Sequence, residues 1–257
     1  MRILFIGDIV GKPAREYLKE NLPHIREEQR ADFVIANGEN AAGGSGITPD
    51  TAQQLFACGI DVLTSGDHIF KKKQAKEVLE KTAMVRPLNY GEFAWGQGYL
   101  IKEAAGYKVA VVNLLGRVFM QPVDCPFKAI RAVLGQIRQE ARVIVVDAHA
   151  EATSEKLALA YFLAGKVSAV VGTHTHIPTA DERIIEGTAY ITDAGMTGSF
   201  DSILGREKHE VIERFITNLP LRFNLAQEDV RMQGVIIEVD AEGKALGIGR
   251  IEYKKES

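Results

Sequence analysis

The feature that most constrains this chain is a recurring pattern in which a short apolar run leads into a side chain that can bind a metal ion. Apolar runs of this length are typical of buried strands. In α/β folds, ligands collect at the carboxyl ends of such strands. We therefore predict that five strand ends converge on one site. The runs are residues 3–6 before Asp8, 33–36 before Glu39 and Asn40, 61–63 before Asp67 and His68, 143–146 before His149, and 167–171 before His174 and His176.

The order of the remaining segments predicts the fold class. Helical segments separate the first three strands, and Thr48-Pro49 has the features of a helix N-cap followed by a first helical residue. This alternation favours parallel strands with right-handed crossovers. Hairpins are predicted over residues 98–113, 183–191 and 233–253. We predict one α/β domain over residues 1–257, a four-layer α-β-β-α sandwich with two mixed sheets packed face to face.

Three local expectations accompany this fold. Pro23 lies within the first predicted helix, and because proline disrupts helical hydrogen bonding it is expected to bend or end that helix. Ser154 is expected to cap a helix over residues 155–163. Residues 192–205 are rich in Gly, Ser, Thr and Asp and are expected to form a loop.

Composition narrows the choice of partner and location. The net charge of −3 gives no basic footprint for duplex nucleic acid. Two cysteines cannot form a disulfide framework, and the apolar start of the chain is too short for a signal peptide. Because no apolar run approaches the length of a membrane span, we expect a cytoplasmic protein without a membrane partner.

The donor types at the strand ends indicate the metal. Oxygen and imidazole donors without thiolate suit iron, manganese or zinc, and calcium would rarely take so many histidines. Seven donors exceed what one ion needs and suit two ions about 3.5–4 Å apart. In extended backbone, residues two apart face the same side, so His174 and His176 are expected to share one site. The seven are Asp8, Glu39, Asn40, Asp67, His149, His174 and His176.

With these residues the chain resembles the calcineurin-like metallophosphoesterases, and more closely their YmdB-type branch, whose members act on cyclic nucleotides. The superfamily begins with Asp-x-His, and Asp8 lacks that histidine as the branch does. Other matches are Glu39-Asn40, Gly66-Asp67-His68, His149, and the pair His174 and His176, with branch-like loops at 86–90 and 113–117. The similarity covers nearly the whole chain.

The resemblance implies a ligand set for each ion. One metal would take Asp8, Glu39, Asn40 and His176, and the other would take Glu39, Asp67, His149 and His174, with Glu39 as the bridge. The family pattern has asparagine where this chain has Asp67. The additional negative charge should favour a more highly charged metal and weaken its Lewis acidity.

The expected reaction is phosphoric ester hydrolysis by in-line attack of a metal-bridging hydroxide on phosphorus. His68 is the candidate general acid, because histidine exchanges protons near neutral pH. Arg86 and Arg117 are weaker candidates for contact with the substrate phosphate. Two divalent or trivalent transition-metal ions are expected as cofactors, iron first, with manganese or zinc as alternatives. Small phosphate esters are the expected substrates, and 2′,3′-cyclic diesters, 3′,5′-cyclic diesters and monoesters all stay open.

Two other functions compete with this one. A metal-dependent hydrolase acting on carbon is disfavoured, because that class usually places its His-x-His motif at the first strand, whereas here it lies in the last third of the chain. A weakly active or inactive regulatory oligomer that binds a nucleotide or protein would also keep the metal site. A homodimer or homotetramer is expected in either case.

Overall fold

The computed structural model describes residues 1–254, so the predicted domain of 1–257 extends three residues outside the described part. Its helices are α1 Gly11–Glu28, α2 Pro49–Ala57, α3 Ala75–Lys81, α4 Pro126–Glu140, α5 Thr153–Leu163 and α6 Lys208–Thr217, with a short 3₁₀ helix at Ile69–Lys71. Its strands are β1 Arg2–Ile6, β2 Asp8–Ile9, β3 Phe33–Asn37, β4 Val62–Thr64, β5 Tyr99–Ala104, β6 Tyr107–Leu115, β7 Val143–His149, β8 Ala169–Thr173, β9 Arg183–Ile185, β10 Thr188–Ile191, β11 Met196–Ser199, β12 Val230–Val239 and β13 Ala245–Lys254.

The strands form two mixed sheets. The first sheet has the order β2-β11-β12-β1-β3-β4, with β13 also paired to β12, and its β1, β3 and β4 run parallel. The second has the order β5-β6-β7-β8-β10-β9, in which β6, β7, β8 and β10 are parallel and the two edge strands are antiparallel to their neighbours. The parallel strands in each sheet bring their carboxyl ends to a common edge.

The fold has four layers of secondary structure, and three layers of apolar side chains fill the spaces between them. Along β1, Ile3 and Phe5 pack between the two sheets, whereas Leu4 and Ile6 pack against α1, α2 and α3. A third apolar cluster joins the second sheet to α4 and α5. Since both faces of the central strands are covered, their sequences are continuously apolar rather than alternating. Each fully buried side chain of this size contributes about 1.5–3 kcal/mol. The predicted four-layer α-β-β-α sandwich is confirmed.

Local details depart from the sequence-based expectations at three places. The helix α1 does not end at Pro23 but continues to Glu28, and Leu22 and Ile25 on either side are buried against the first sheet. The helix α5 begins at Thr153, and Ala152 precedes it without a side-chain cap, so Ser154 is not the cap. The expected loop 192–205 contains the strand β11, which is fully buried between β12 and β2.

Within residues 1–254, no helix is both long and apolar enough to cross a membrane.

Candidate metal centre

The predicted site residues meet where the carboxyl ends of both sheets adjoin. The first sheet supplies oxygen donors, because Asp8 follows β1, Glu39 follows β3 and Asp67 follows β4. The second sheet supplies imidazoles at the end of β7 and just after β8. These are His149, His174 and His176. The predicted convergence of five strand ends is therefore present in the structure.

Four of these side chains form a compact group of donors. One ligand atom from each of Glu39, Asp67, His149 and His174 lies within 4.8 Å of all the others. His149 Nε2 lies 3.2 Å from Glu39 Oε1 and 3.4 Å from Asp67 Oδ1. His174 Nδ1 lies 3.1 Å from His149 Nε2. Two carboxylates and two imidazoles at this spacing form a donor set that transition metals prefer.

A second group adjoins the first on the Glu39 side. His176 Nε2 lies 3.8 Å from Asp8 Oδ1. Asn40 lies between the two groups, since its Nδ2 is 3.2 Å from Glu39 Oε1 and 3.2 Å from His176 Nε2. Its Oδ1 is turned instead toward His68 Nδ1, 2.8 Å away. Asp8, Asn40 and His176 are thus brought together, with the nitrogen of Asn40 facing His176.

Two observations indicate that this site is shaped for cations. The Oδ1 atoms of Asp8 and Asp67 are buried without a hydrogen-bond partner among residues 1–254, and an unpartnered buried carboxylate oxygen is costly. A Cβ on Gly66 would lie 2.1 Å from His149 Nε2 and 2.3 Å from Glu39 Oε2. Glycine at this position therefore leaves open the space that the donor atoms face. The residues present fit a metal centre.

Protonation of His149 compensates the buried negative charge in the metal-free site. Although burial of His149 opposes its charged form, Glu39, Asp67 and Asp8 raise its pKa well above the ordinary 6.5. Burial raises the pKa of Asp8, whereas the His149 charge outweighs burial and holds the pKa of Glu39 and Asp67 below their ordinary values. Burial and the His149 charge lower the pKa of His174 to about 4. His174 is therefore neutral, as a ligand must be.

Metal binding should consequently release a proton from His149. Because the raised pKa keeps that imidazole protonated near neutral pH, a metal ion that uses its Nε2 must displace the proton. We expect release of at least about one proton per chain at about pH 7, and an apparent metal affinity that falls as the pH is lowered. Calorimetric titration in buffers of different ionisation enthalpy measures this directly. Affinity independent of pH with no proton release would contradict the assignment of His149 as a ligand.

A buried network fixes the orientation of His149. The Thr173 hydroxyl donates to Asp147 Oδ1 at 2.6 Å and lies 2.8 Å from His149 Nδ1, from which it accepts. Thr64 and Asn37 of the first sheet donate to the other oxygen of Asp147. As a ligand, once its Nε2 proton is displaced, His149 would therefore keep its other proton on Nδ1 and direct Nε2 to the donor group. Such outer contacts orient metal-binding histidines, so Asp147, which is not among the seven predicted ligands, supports His149.

The backbone around His174 and His176 differs from the expectation. The strand β8 ends at Thr173, and His174 and His176 have positive φ values of 99° and 64°. Extended backbone is therefore not what brings the two imidazoles together, and that reasoning was wrong. Both histidines instead have left-handed φ values, and Thr175 lies between them, so we call residues 174–176 the histidine turn. Each such residue costs about 1–3 kcal/mol and persists only where its surroundings hold it.

The histidine predicted as general acid lies at the rim of the donor group. His68 Nδ1 donates to Asn40 Oδ1, so its Nε2 is the nitrogen left to exchange a proton. That Nε2 lies 3.7 Å from Asp67 Oδ2, and the side chain is 34% exposed. His68 is therefore anchored on one side and accessible on the other.

The two predicted substrate-binding arginines make contacts elsewhere. Arg86 is buried and donates through Nη1 to the carbonyl oxygens of Pro87 and Leu88, while its Nε has no partner among residues 1–254. Arg117 Nη2 lies 3.5 Å from Cys125 Sγ. Neither side chain has a hydrogen bond to a predicted ligand within the described residues.

Three contributors to the site were missed in the sequence. Glu151 Oε2 lies 3.1 Å from His174 Nε2 and holds that nitrogen outward, which leaves Nδ1 for the donor group. The Thr173 hydroxyl contacts His149 Nδ1, and Asp193 accepts from the backbone N–H of Thr175. Only Asp193 carried a recognisable signal, because it follows the apolar end of β10 as the other site residues follow their strands.

Comparison with known proteins identifies the family. The YmdB-like protein family model matches residues 4–251. The 2′,3′-cyclic-nucleotide 2′-phosphodiesterase of Bacillus subtilis (strain 168) is 46% identical over 98% of this chain and 96% of its own. The chain belongs to the YmdB-like family.

Two solved structures agree with this membership. A hypothetical protein from Thermus thermophilus is 40% identical, covers 100% of both chains and superposes with a TM-score of 0.95. A novel phosphatase from Mycoplasma pneumoniae is 35% identical, covers 99% of this chain and 93% of its own, and has a TM-score of 0.92. The YmdB-like resemblance and the metallophosphoesterase-like fold are confirmed, as is an enzyme of the phosphoric ester hydrolase class.

Proposed function

We propose that this YmdB-like protein is a dinuclear-metal phosphodiesterase that hydrolyses 2′,3′-cyclic nucleotides. The observation that carries the proposal is the pair of adjoining donor groups with Glu39 in contact with both. Small cyclic phosphodiesters are favoured as substrates because the B. subtilis relative bears that activity in its name and shares nearly its whole length with this chain.

The donor groups support a division of ligands between two ions. Asp8, His176 and Asn40 would hold one ion, with the Asn40 amide rotated so that its oxygen rather than its nitrogen faces His176. Asp67, His149 and His174 would hold the other ion, with Glu39 shared. Two bound ions would lower the pKa of a water toward roughly 7 and offset charge on the phosphoryl oxygens. The oxygen and imidazole donors favour iron, with manganese or zinc as alternatives.

His68 would hold the proton that the departing ribose oxygen needs. Its Nδ1 is fixed by Asn40, which leaves Nε2 free at the accessible rim of the site. A positioned general acid contributes about 10²–10⁴-fold to such a reaction. Arg86 and Arg117 remain proposed phosphate contacts that would have to reorient on substrate binding.

Substrate preference of the metal-reconstituted protein tests the proposal. We expect 2′,3′-cyclic AMP to be hydrolysed to a monophosphate. Its hydrolysis should be at least about 10-fold faster than that of 3′,5′-cyclic AMP, a difference of about 1.4 kcal/mol in the activation barrier. Turnover should stop with a chelator and return when metal is restored. His174→Ala, which removes a donor, is the matched inactive variant.

Other outcomes would replace the proposal. Two bound ions without hydrolysis of any cyclic nucleotide would favour the regulatory metal-binding oligomer. A preference for 3′,5′-cyclic AMP would retain the enzyme and change its substrate. A reconstituted protein with no bound metal would remove the basis of the proposal.

The oligomeric state and the cytoplasmic location also stand as proposals. The helix α6 leaves a row of large apolar side chains exposed, which is the kind of surface that symmetric oligomers bury. These side chains are Ile212, Phe215, Ile216 and, just beyond the helix, Leu219. A homodimer or homotetramer through this face would be visible by light scattering.

A further inference from the structure

A fully buried ion pair contacts the turn that carries His174 and His176. Lys156 Nζ lies 2.9 Å from Asp193 Oδ2, and both side chains are inaccessible to solvent. The same Oδ2 accepts from the backbone N–H and the hydroxyl of Thr175, at 3.0 and 2.8 Å. Asp193 Oδ1 accepts from the N–H of Gly195. The carboxylate therefore contacts the one residue that separates the two histidines.

Close packing around Gly172 restricts how the end of β8 can move relative to the Asp193 segment. A Cβ on Gly172 would lie 1.7 Å from the carbonyl oxygen of Thr192 and 2.9 Å from Cδ of Lys156. The end of β8 thus packs directly on the Asp193 segment and on the Lys156 stem. The N–H of Ala194 donates to the Gly172 carbonyl and ties the same two segments together.

We infer that Asp193 and Lys156 are positioning residues that set metal affinity by holding the His174-Thr175-His176 turn in its left-handed form. His174 and His176 both have positive φ, which an unsupported turn would not keep. The N–H of His174 donates to Asp8, which is itself a proposed ligand, and the N–H of Thr175 donates to Asp193. Asp193 is not a member of either donor group, so it acts through Thr175.

Lys156 contributes through its positive charge. Asp8, Glu39 and Asp67 already place three carboxylates among the proposed ligands, and Asp193 adds a further buried carboxylate close to them. The Lys156 ammonium balances the Asp193 charge locally. Asp193 can then anchor the turn without competing for the cations that the donor groups are built to hold. The pair thus separates support of the turn from ligation.

Binding of Co²⁺ to the metal-stripped protein tests this inference, which rests on the proposed metal centre. Asp193→Asn should weaken Co²⁺ affinity by about 10–100-fold, the usual effect of losing an outer contact to a ligand. It should also change the visible absorption of bound Co²⁺. Thr175→Val loses only the hydroxyl contact and should weaken affinity by about 2–10-fold. Thermal unfolding of each metal-free variant reports folding separately.

Two further variants separate positioning from stability. Either Lys156→Met or Asp193→Asn leaves an imperfectly paired buried charge, whereas the double variant removes both charges and should regain thermal stability. Its Co²⁺ affinity should stay low. Asp61→Asn is the matched control, since Asp61 accepts from Val34 N–H and pairs with Arg26 at the opposite end of the sheet. It should lower the melting temperature and leave Co²⁺ affinity unchanged.

The inference fails if Co²⁺ affinity falls together with thermal stability in every variant, including Asp61→Asn. It also fails if the double variant regains both thermal stability and Co²⁺ affinity. Wild-type affinity in folded Asp193→Asn or Thr175→Val would also overturn it. Absence of Co²⁺ binding to the wild-type protein would overturn the proposed metal centre instead.

Discussion

Replacing Glu39 with alanine is expected to abolish binding of both metal ions. Glu39 is buried, and its Oε1 contacts His149 of one donor group and Asn40 of the other at 3.2 Å. Its Oε2 accepts from the N–H of His68. Asp8 Oδ1 also lies near both groups, 4.0 Å from His149 Nδ1 and 3.8 Å from His176 Nε2, but these distances are longer than those of Glu39. Loss of Glu39 would remove the proposed shared ligand of the two ions and also a charge that favours two adjacent cations.

Metal content after reconstitution and gel filtration measures this effect. We expect the wild-type protein to retain about two ions per chain and Glu39→Ala to retain essentially none, because structural coupling of the two sites makes the loss cooperative. Glu77→Gln is the matched control, since the Glu77 carboxylate is exposed on α3 and pairs with Lys81. That variant should keep both ions. A full pair of ions in folded Glu39→Ala would exclude Glu39 as the bridge.

The sequence predicted the parts of the site that depend on local pattern. The runs before Asp8, Glu39 and His149 are short, apolar and followed by a polar residue, and this pattern alone marks the end of a buried strand. Parallel pairing then brings such ends to one edge. Site residues on those ends could be named without any knowledge of their distances.

Features that depend on tertiary packing could not be found in the same way. The strand β11 consists of Met, Thr, Gly and Ser, a composition typical of loops, and it forms only because β12 and β2 supply partners on both sides. Likewise α1 passes Pro23 because burial of its neighbours outweighs one lost hydrogen bond.

The support of the histidine turn was hidden for a related reason. The turn is left-handed because Asp8 and Asp193 hold its N–H groups, and these residues lie on β2 and beyond β10. Nothing within residues 172–176 specifies those contacts. The spacing of His174 and His176 predicted that the two side chains lie close together at one site. The structure places them in adjoining donor groups, but distant parts of the chain set the backbone conformation that does so.

Replacing His68 with alanine is expected to reduce turnover of 2′,3′-cyclic AMP by about 10²–10⁴-fold while leaving both metal ions in place. His68 lies outside the compact four-donor group and is anchored through Nδ1 to Asn40. Its partly exposed Nε2 is placed to give a proton to a leaving oxygen. Removal should therefore affect the barrier to bond cleavage far more than the affinity for metal.

The leaving group distinguishes a proton donor from a residue that merely supports the site. A ribose hydroxyl leaves poorly unless it is protonated, whereas nitrophenolate needs little help. His68→Ala should therefore hydrolyse bis-p-nitrophenyl phosphate at a rate within about 10-fold of the wild-type rate, although its activity on the cyclic nucleotide is nearly lost. His24→Ala, which changes an exposed histidine on α1, is the control for both assays. Equal losses on both esters would show that His68 is not the acid, and loss of metal would show that it is a ligand.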